Sequence, residues 1–202
     1  MAEMNDSFNE VTAEMLKVIS DYDSVTGFRG AYNIRQDSMC AGRKNSENIT
    51  IESKTDKPGI NIRVKPGTKG ETVYIPACVT HSNVDDLVYN DFFIGEGADV
   101  TIVAGCGVHS DGSETARHNG IHRFFLEKGA KVLYKEKHIG TGKGTGLRRI
   151  DPVTDAYLKE DSYLEMDTVQ LRGVDRTTRS TSAVLDKGAK IVVRERIMTD
   201  GD

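Results

Sequence analysis

Polar and apolar residues alternate over most of this chain, and only its first thirty residues follow another period. There Phe8, Val11, Met15, Val18, Ile19 and Tyr22 recur at three- and four-residue spacing, which predicts a helix with one apolar face. Ser7 with Glu10 three residues on reads as a capping box at its start, and Gly27 and Gly30 close the segment. The stripe is read as a face that packs on the body of the protein. Beyond it, Ile49 and Ile51, then Ile60, Ile62 and Val64, alternate with polar neighbours as half-buried strands do. Pro58-Gly59 and Pro66-Gly67 are turn signals between such strands.

From about residue 88 the chain repeats itself. Phe92-Phe93-Ile94-Gly95-Glu96-Gly97-Ala98-Asp99-Val100 aligns with Phe124-Phe125-Leu126-Glu127-Lys128-Gly129-Ala130-Lys131-Val132 at an offset of 32 residues. A third copy, Tyr157 to Leu164, follows 32 residues later, and a fourth, Val184 to Ile191, 27 after that. Each unit is an apolar strand, a polar turn and a second alternating strand. Such a pair cannot bury its apolar face alone, and stacking successive units buries a continuous strip. The predicted fold is therefore all-β: a parallel, right-handed β-helix, with residues 1–30 as a helical segment and residues 31–202 as the β-helix core. Gly97, Gly129 and Gly188 are expected to take a positive φ at the corner, with Asp161 standing in their place in the third copy. A β-sandwich would not require the 32-residue self-match. The last copy runs to Met198 without a visible polar cap, so a partner is expected to cover that end, or the chain is a shortened form.

Composition agrees with a repetitive β architecture: 37% hydrophobic residues, 20 Gly, 4 Pro and no Trp. A net charge of −4 gives no general attraction to nucleic acid or to an anionic membrane. No apolar run is long enough to cross a bilayer, and the acidic, polar N-terminus is unlike an export or transit signal, so a cytoplasmic location is expected. Three cysteines, Cys40, Cys78 and Cys106, are too few and odd in number for a disulfide framework and are read as reduced thiols.

The densest chemical cluster is Cys106-Gly107-Val108-His109, followed by His118-Asn119-Gly120-Ile121-His122. The Cys-x2-His and His-x3-His spacings superficially match a zinc site, and thiolate plus imidazole also suits copper(I) or iron–sulfur species. On a strand, however, His118 and His122 would lie about 13 Å apart, too far to share an ion. A site using all four residues would need a folded loop. Cys78-Val79-Thr80-His81 is a second Cys-x2-His pair, and stacked coils could bring Cys78 and Cys106 onto adjacent rungs about 5 Å apart. Gly140 to Gly146 fails the phosphate-loop pattern, because Gly144 follows Lys143, and is read as a flexible turn. No serine triad or nucleophile elbow is apparent.

Three groups of motifs resemble one family. The first holds Gly30-Ala31-Tyr32-Asn33-Ile34-Arg35, Asp56-Lys57-Pro58-Gly59-Ile60 and Lys65 to Val73. The second holds Gly105 to His109, Arg117 to Phe125 and Tyr134-Lys135-Glu136-Lys137-His138. The third holds Leu164 to Thr168 and Gly173-Val174-Asp175. In this order they are similar to short proteins of the SufB/SufD family of iron–sulfur cluster assembly scaffolds. The resemblance implies a β-helix core with helical parts at both ends. It implies dimers, either homodimers or SufB/SufD-type heterodimers, associated with a SufC-like ABC-type ATPase that binds the nucleotide in place of this chain. It implies a transient iron–sulfur cluster, and sulfur arriving from a donor protein as persulfide on a cysteine inside the β-helix. Cys106 is the best match to that cysteine, with His109, His118, His122 and Cys78 as further cluster-binding candidates. The family performs no conventional catalysis itself. Its members continue past the point where this chain stops. The alternative reading is a zinc enzyme built on Cys106, His109, His118 and His122, but the sequence offers no general base at fixed spacing beside the first His.

Overall fold

The computed structural model describes residues 7–198. One helix, α1 (Glu10–Ile19), is followed by the hairpins β1 (Ala31–Gln36) with β2 (Met39–Lys44) and β3 (Ile49–Ser53) with β4 (Gly59–Val64). The long strands come next: β5 (Lys69–Val79), β6 (Asp85–Ile94), β7 (Asp99–His109), β8 (Ala116–Leu126) and β9 (Lys131–Thr141). They continue with β10 (Arg148–Ile150), β11 (Val153–Leu158), β12 (Tyr163–Arg172), β13 (Arg176–Thr177), β14 (Ser180–Leu185) and β15 (Lys190–Ile197). One sheet runs β15-β12-β9-β7-β5-β1-β2 and the other β13-β10-β8-β6-β4-β3, with β11 between β8 and β14. Apart from the two hairpins, every pairing between strands is parallel. The result is a parallel β-solenoid of about four turns, as the repeat predicts.

The register follows the sequence repeat residue by residue. Phe93 pairs with Phe125, Phe125 with Tyr157, and Tyr157 with Val184. The aromatic members stack face to face, 5.1 Å between centroids at each step. At the corner, Gly67, Gly97, Gly129, Asp161 and Gly188 all have φ between 56° and 73°, a region that glycine enters freely and aspartate tolerates. Their amides bind the next coil: Gly67 N–H to Glu96 O, Gly97 to Lys128, Gly129 to Glu160 and Asp161 to Lys187.

Between the sheets the interior divides in two. Near the corner it is apolar, filled by Ile62, Val73, Phe92, Ile94, Ile102, Phe124, Leu126, Val132, Leu164 and their neighbours. Toward the other end of the long strands it turns polar, with Asp86, Asn90, His118, His122, Glu136, His138, Thr168 and Gln170 all buried. An interior of this kind stands only where its polar groups find partners.

The N-terminal helix is shorter than its stripe predicts and starts elsewhere. Asn9, not Ser7, caps it, its side chain accepting from Thr12 N–H at 2.9 Å, while Ser7 N–H donates to Ala41 O. Met15, Leu16 and Ile19 are buried against β5, β7 and β9, together with Ile34, Cys78 and Ile139. Gly105 and Gly107 make room for this docking. A Cβ on Gly105 would stand 2.5 Å from the carbonyl oxygen of Ile19, and one on Gly107 2.5 Å from Met15 Sδ. Gly105→Ala is therefore expected to lift the helix and destabilise the fold by about 1–3 kcal/mol, the cost of overpacking a fitted contact. Urea unfolding with hydrogen exchange across residues 10–19 checks this, and an unchanged midpoint with unchanged protection would refute it. Among the described residues no helix is long and apolar enough to cross a membrane.

Candidate functional site

The polar end of the interior is built by strand alternation. On β8, residues 116, 118, 120, 122, 124 and 126 face inward, which sets His118, Gly120 and His122 in one inward row. Their Cα atoms are spread along the strand, but the imidazoles converge. A Cβ on Gly120 would lie 2.9 Å from His122 Nε2 and 3.3 Å from His118 Nε2, so both rings lean over the side chain that glycine lacks. The separation expected for the two strand positions does not apply to their ring nitrogens.

His118 is fixed by the coil below it, and His122 chiefly by the next strand of its own coil. His118 Nδ1 lies 3.0 Å from Asp86 Oδ2, and Asp86 receives a forked pair from Arg35, Nε at 2.9 Å and Nη2 at 2.6 Å. Burial resists ionisation of Asp86, but the bonds from His118 and Arg35 outweigh it and hold the carboxyl well below the usual range. The Tyr134 hydroxyl donates to Glu136 Oε1 at 3.0 Å, so its oxygen accepts from Nδ1–H of His122 at 2.8 Å. His122 Nε2 then carries the lone pair and faces Asn90 Nδ2 at 3.4 Å. Burial lowers the His122 pKa to about 4, which keeps this ring neutral at pH 7.

Cys106 stands on β7 opposite this row. It is buried, and desolvation, then the nearby charge of Glu136, raise its thiol pKa well above the ordinary value. On the neighbouring strand β9, His138 is its register partner, and Glu136 is that of Ala104. Cys106 Sγ, a Glu136 carboxylate oxygen and a His138 ring nitrogen all lie within 4.8 Å of one another. Burial opposes the charge on Glu136, but His138, Arg179 and His122 overcome it and hold its carboxyl well below the usual range. Arg179 reaches Glu136 Oε2 at 3.1 Å. His138 Nε2 lies 3.3 Å from the same oxygen yet out of line for a hydrogen bond, and it is buried without a partner.

A cavity of about 220 Å³ leads to this region from the N-terminal end of the solenoid. Its lining includes the buried Cys106, His118, His122 and Asn90 together with Arg35, Cys40, Arg43, Lys54 and Lys57 from the two hairpins. The structure thus brings Cys106, His118 and His122 to one space and separates the other two candidates from it. His109 is on the outer face of β7, its Nδ1 2.9 Å from Thr141 Oγ1, in a groove beside α1. Cys78 occupies the strand next to Cys106, but it pairs with Gly107 while Cys106 pairs with Ala77. The two thiols point to opposite faces, and Cys78 is buried under α1 with its pKa pushed up to about 12 by desolvation. Sequence reasoning missed Tyr134, Glu136 and His138 as site residues. The signal was present: Cys106 and His138 are separated by the same 32 residues as the repeat, as are Asp86 and His118, and Asn90 and His122.

Fold and site together define a β-solenoid whose interior turns, at one end, into a buried set of thiol, imidazole and carboxylate groups. The chain belongs to the SufBD family of iron–sulfur cluster assembly proteins. A protein of that family from Archaeoglobus fulgidus is 33% identical to it, across 78% of this chain and 53% of that protein. Two more from strains of Methanothermobacter thermautotrophicus are 32% and 30% identical over 89 residues, 43% of this chain and 21% of each relative. The chain therefore spans about half the length of the first relative and about a fifth of the other two. No family model matches the chain.

Proposed function

We propose that this chain is a cytoplasmic, non-catalytic scaffold for iron–sulfur cluster assembly. It takes up sulfur and iron inside the solenoid and works in a dimer with an ABC-type ATPase that binds the nucleotide. The observation that carries this reading is the position of Cys106: a buried thiol that lines a cavity together with two imidazoles and lies beside Glu136 and His138. Donors of these kinds suit iron and sulfide. In the transfer, the Cys106 sulfur forms a bond to the outer sulfur of a donor persulfide, whose own S–S bond breaks. The thiol proton ends on the departing donor sulfur, and Cys106 is left as a persulfide. The zinc-enzyme alternative loses support because His109 lies outside the cavity.

Anaerobic reconstitution of the chain with iron and sulfide tests the reading. Charge-transfer absorbance is expected in the wild type and in Cys78→Ser, and is expected to be lost in Cys106→Ser. Undiminished bands in Cys106→Ser would overturn the assignment.

A further inference from the structure

We infer that Cys106, Glu136 and His138 form a three-ligand site for a single divalent transition-metal ion, distinct from the His118–His122 pair that the sequence singles out. The ion's identity as iron(II) rests on the assembly reading above; the site itself does not.

Three independent observations converge on it. The donor atoms are already gathered within 4.8 Å of one another, so a small inward movement reaches the ligand spacing of a tetrahedral ion. His138 Nε2 is almost fully buried, and its nearest polar neighbour, Glu136 Oε2 at 3.3 Å, is out of line for a hydrogen bond, a poorly satisfied state that a metal bond shared by the two side chains would relieve. The remaining polar groups are arranged as supports for ligands. Tyr134, itself held by His122, donates to Glu136 Oε1, and Thr168 and Arg179 donate to Oε2 at 3.4 and 3.1 Å, which fixes the carboxylate and leaves a lone pair on Oε1 for a ligand bond. Arg179, which pairs with Glu136 at 3.1 Å, has a second partner in Glu195 at 2.8 Å and can lean on it when an ion arrives.

The charges balance. An incoming divalent ion meets the Glu136 carboxylate and the Cys106 thiol. The S–H bond breaks, a metal–sulfur bond forms, and the proton leaves to water. Thiolate and carboxylate then neutralise the ion, with His138 as a neutral third ligand. A fourth position stays open for water or an incoming sulfur, the arrangement of a site that exchanges its cargo rather than one that is closed. A soft, a borderline and a hard donor together favour iron(II), cobalt(II) or zinc over magnesium or calcium.

The test is anaerobic titration of the full chain with Co2+ in the absence of sulfide. One equivalent is expected to bind, with the d–d bands of a four-coordinate ion and a thiolate-to-cobalt charge-transfer band. X-ray absorption on the wild type is expected to show one sulfur with nitrogen or oxygen neighbours and imidazole outer-shell scattering. Cys106→Ser should remove the charge-transfer band, and His138→Gln and Glu136→Gln should each weaken binding at least tenfold, while His109→Gln leaves it unchanged. A shell of two sulfurs or none, or affinities unmoved by His138→Gln and Glu136→Gln, would overturn the site. Because no sulfide is present, the outcomes separate. Cobalt bound as described with no cluster on reconstitution defeats the assembly reading and leaves the site standing. Cluster formation at Cys106 without cobalt binding defeats the site alone.

Discussion

Asp86→Ala is expected to destabilise the protein by about 3–5 kcal/mol, the cost of removing one partner from a buried ion pair. Asp86 is fully buried and accepts from Arg35 through a fork and lies within hydrogen-bond distance of His118. Without it, the Arg35 guanidinium, whose side chain is only 13% exposed, is left nearly buried without its counter-charge, and His118 Nδ1 loses its partner. The penalty comes from what is left behind rather than from the net worth of the pair. Asp86→Asn, which keeps the shape and one acceptor, should therefore cost less. The double replacement Arg35→Met with Asp86→Leu should recover much of the loss. Chemical denaturation of the four proteins decides this. If the double variant is as unstable as Asp86→Ala, the stranded charge is not the cause.

The same arrangement shows which parts of the molecule were legible in the sequence. The solenoid and its register were, because a stacked coil must repeat its apolar positions. Phe93, Phe125, Tyr157 and Val184 fall in one column in the alignment of the repeats and in the structure. The corner was legible at Gly97, Gly129, Asp161 and Gly188, since a positive φ restricts residue choice. The helix start was misplaced because Ser7 and Asn9 both satisfy local capping rules. The contact of Asn9 with Thr80, 71 residues away, belongs to tertiary structure and leaves no local trace. In the site, linear spacing grouped His109 with Cys106, although strand alternation sends an odd and an even position to opposite faces. The partners that matter lie one coil away. Adding the period to Cys106 gives His138, so stacking, rather than proximity in the chain, was the rule to apply. The convergence of His118 and His122 depends on a missing side chain at Gly120, which no spacing rule anticipates.

The polar interior should also make the protein acid-labile well above the pH at which carboxylates titrate. Burial holds His122 at a pKa of about 4 against an ordinary value of 6.5, and the groups it faces are Tyr134 and Asn90, with Glu136 beyond. Between those two values the unfolded chain binds the proton and the folded chain does not, so stability rises with pH across that window and falls on acidification. The depression corresponds to about 3 kcal/mol lost between pH 6.5 and pH 4. Asp86 and Glu136 add to the effect lower down. Their carboxyls are held below the usual range, so their contribution is present above that range and disappears as the pH drops through their folded values. Urea midpoints measured from pH 7 to pH 4 should fall steadily in the wild type. In His122→Gln, which keeps a donor toward Tyr134 but cannot titrate, the decline should be less than half as large. Parallel curves for the two proteins would mean that His122 is not buried as the neutral ring and would remove the Nδ1–H tautomer on which the support of Glu136 through Tyr134 depends.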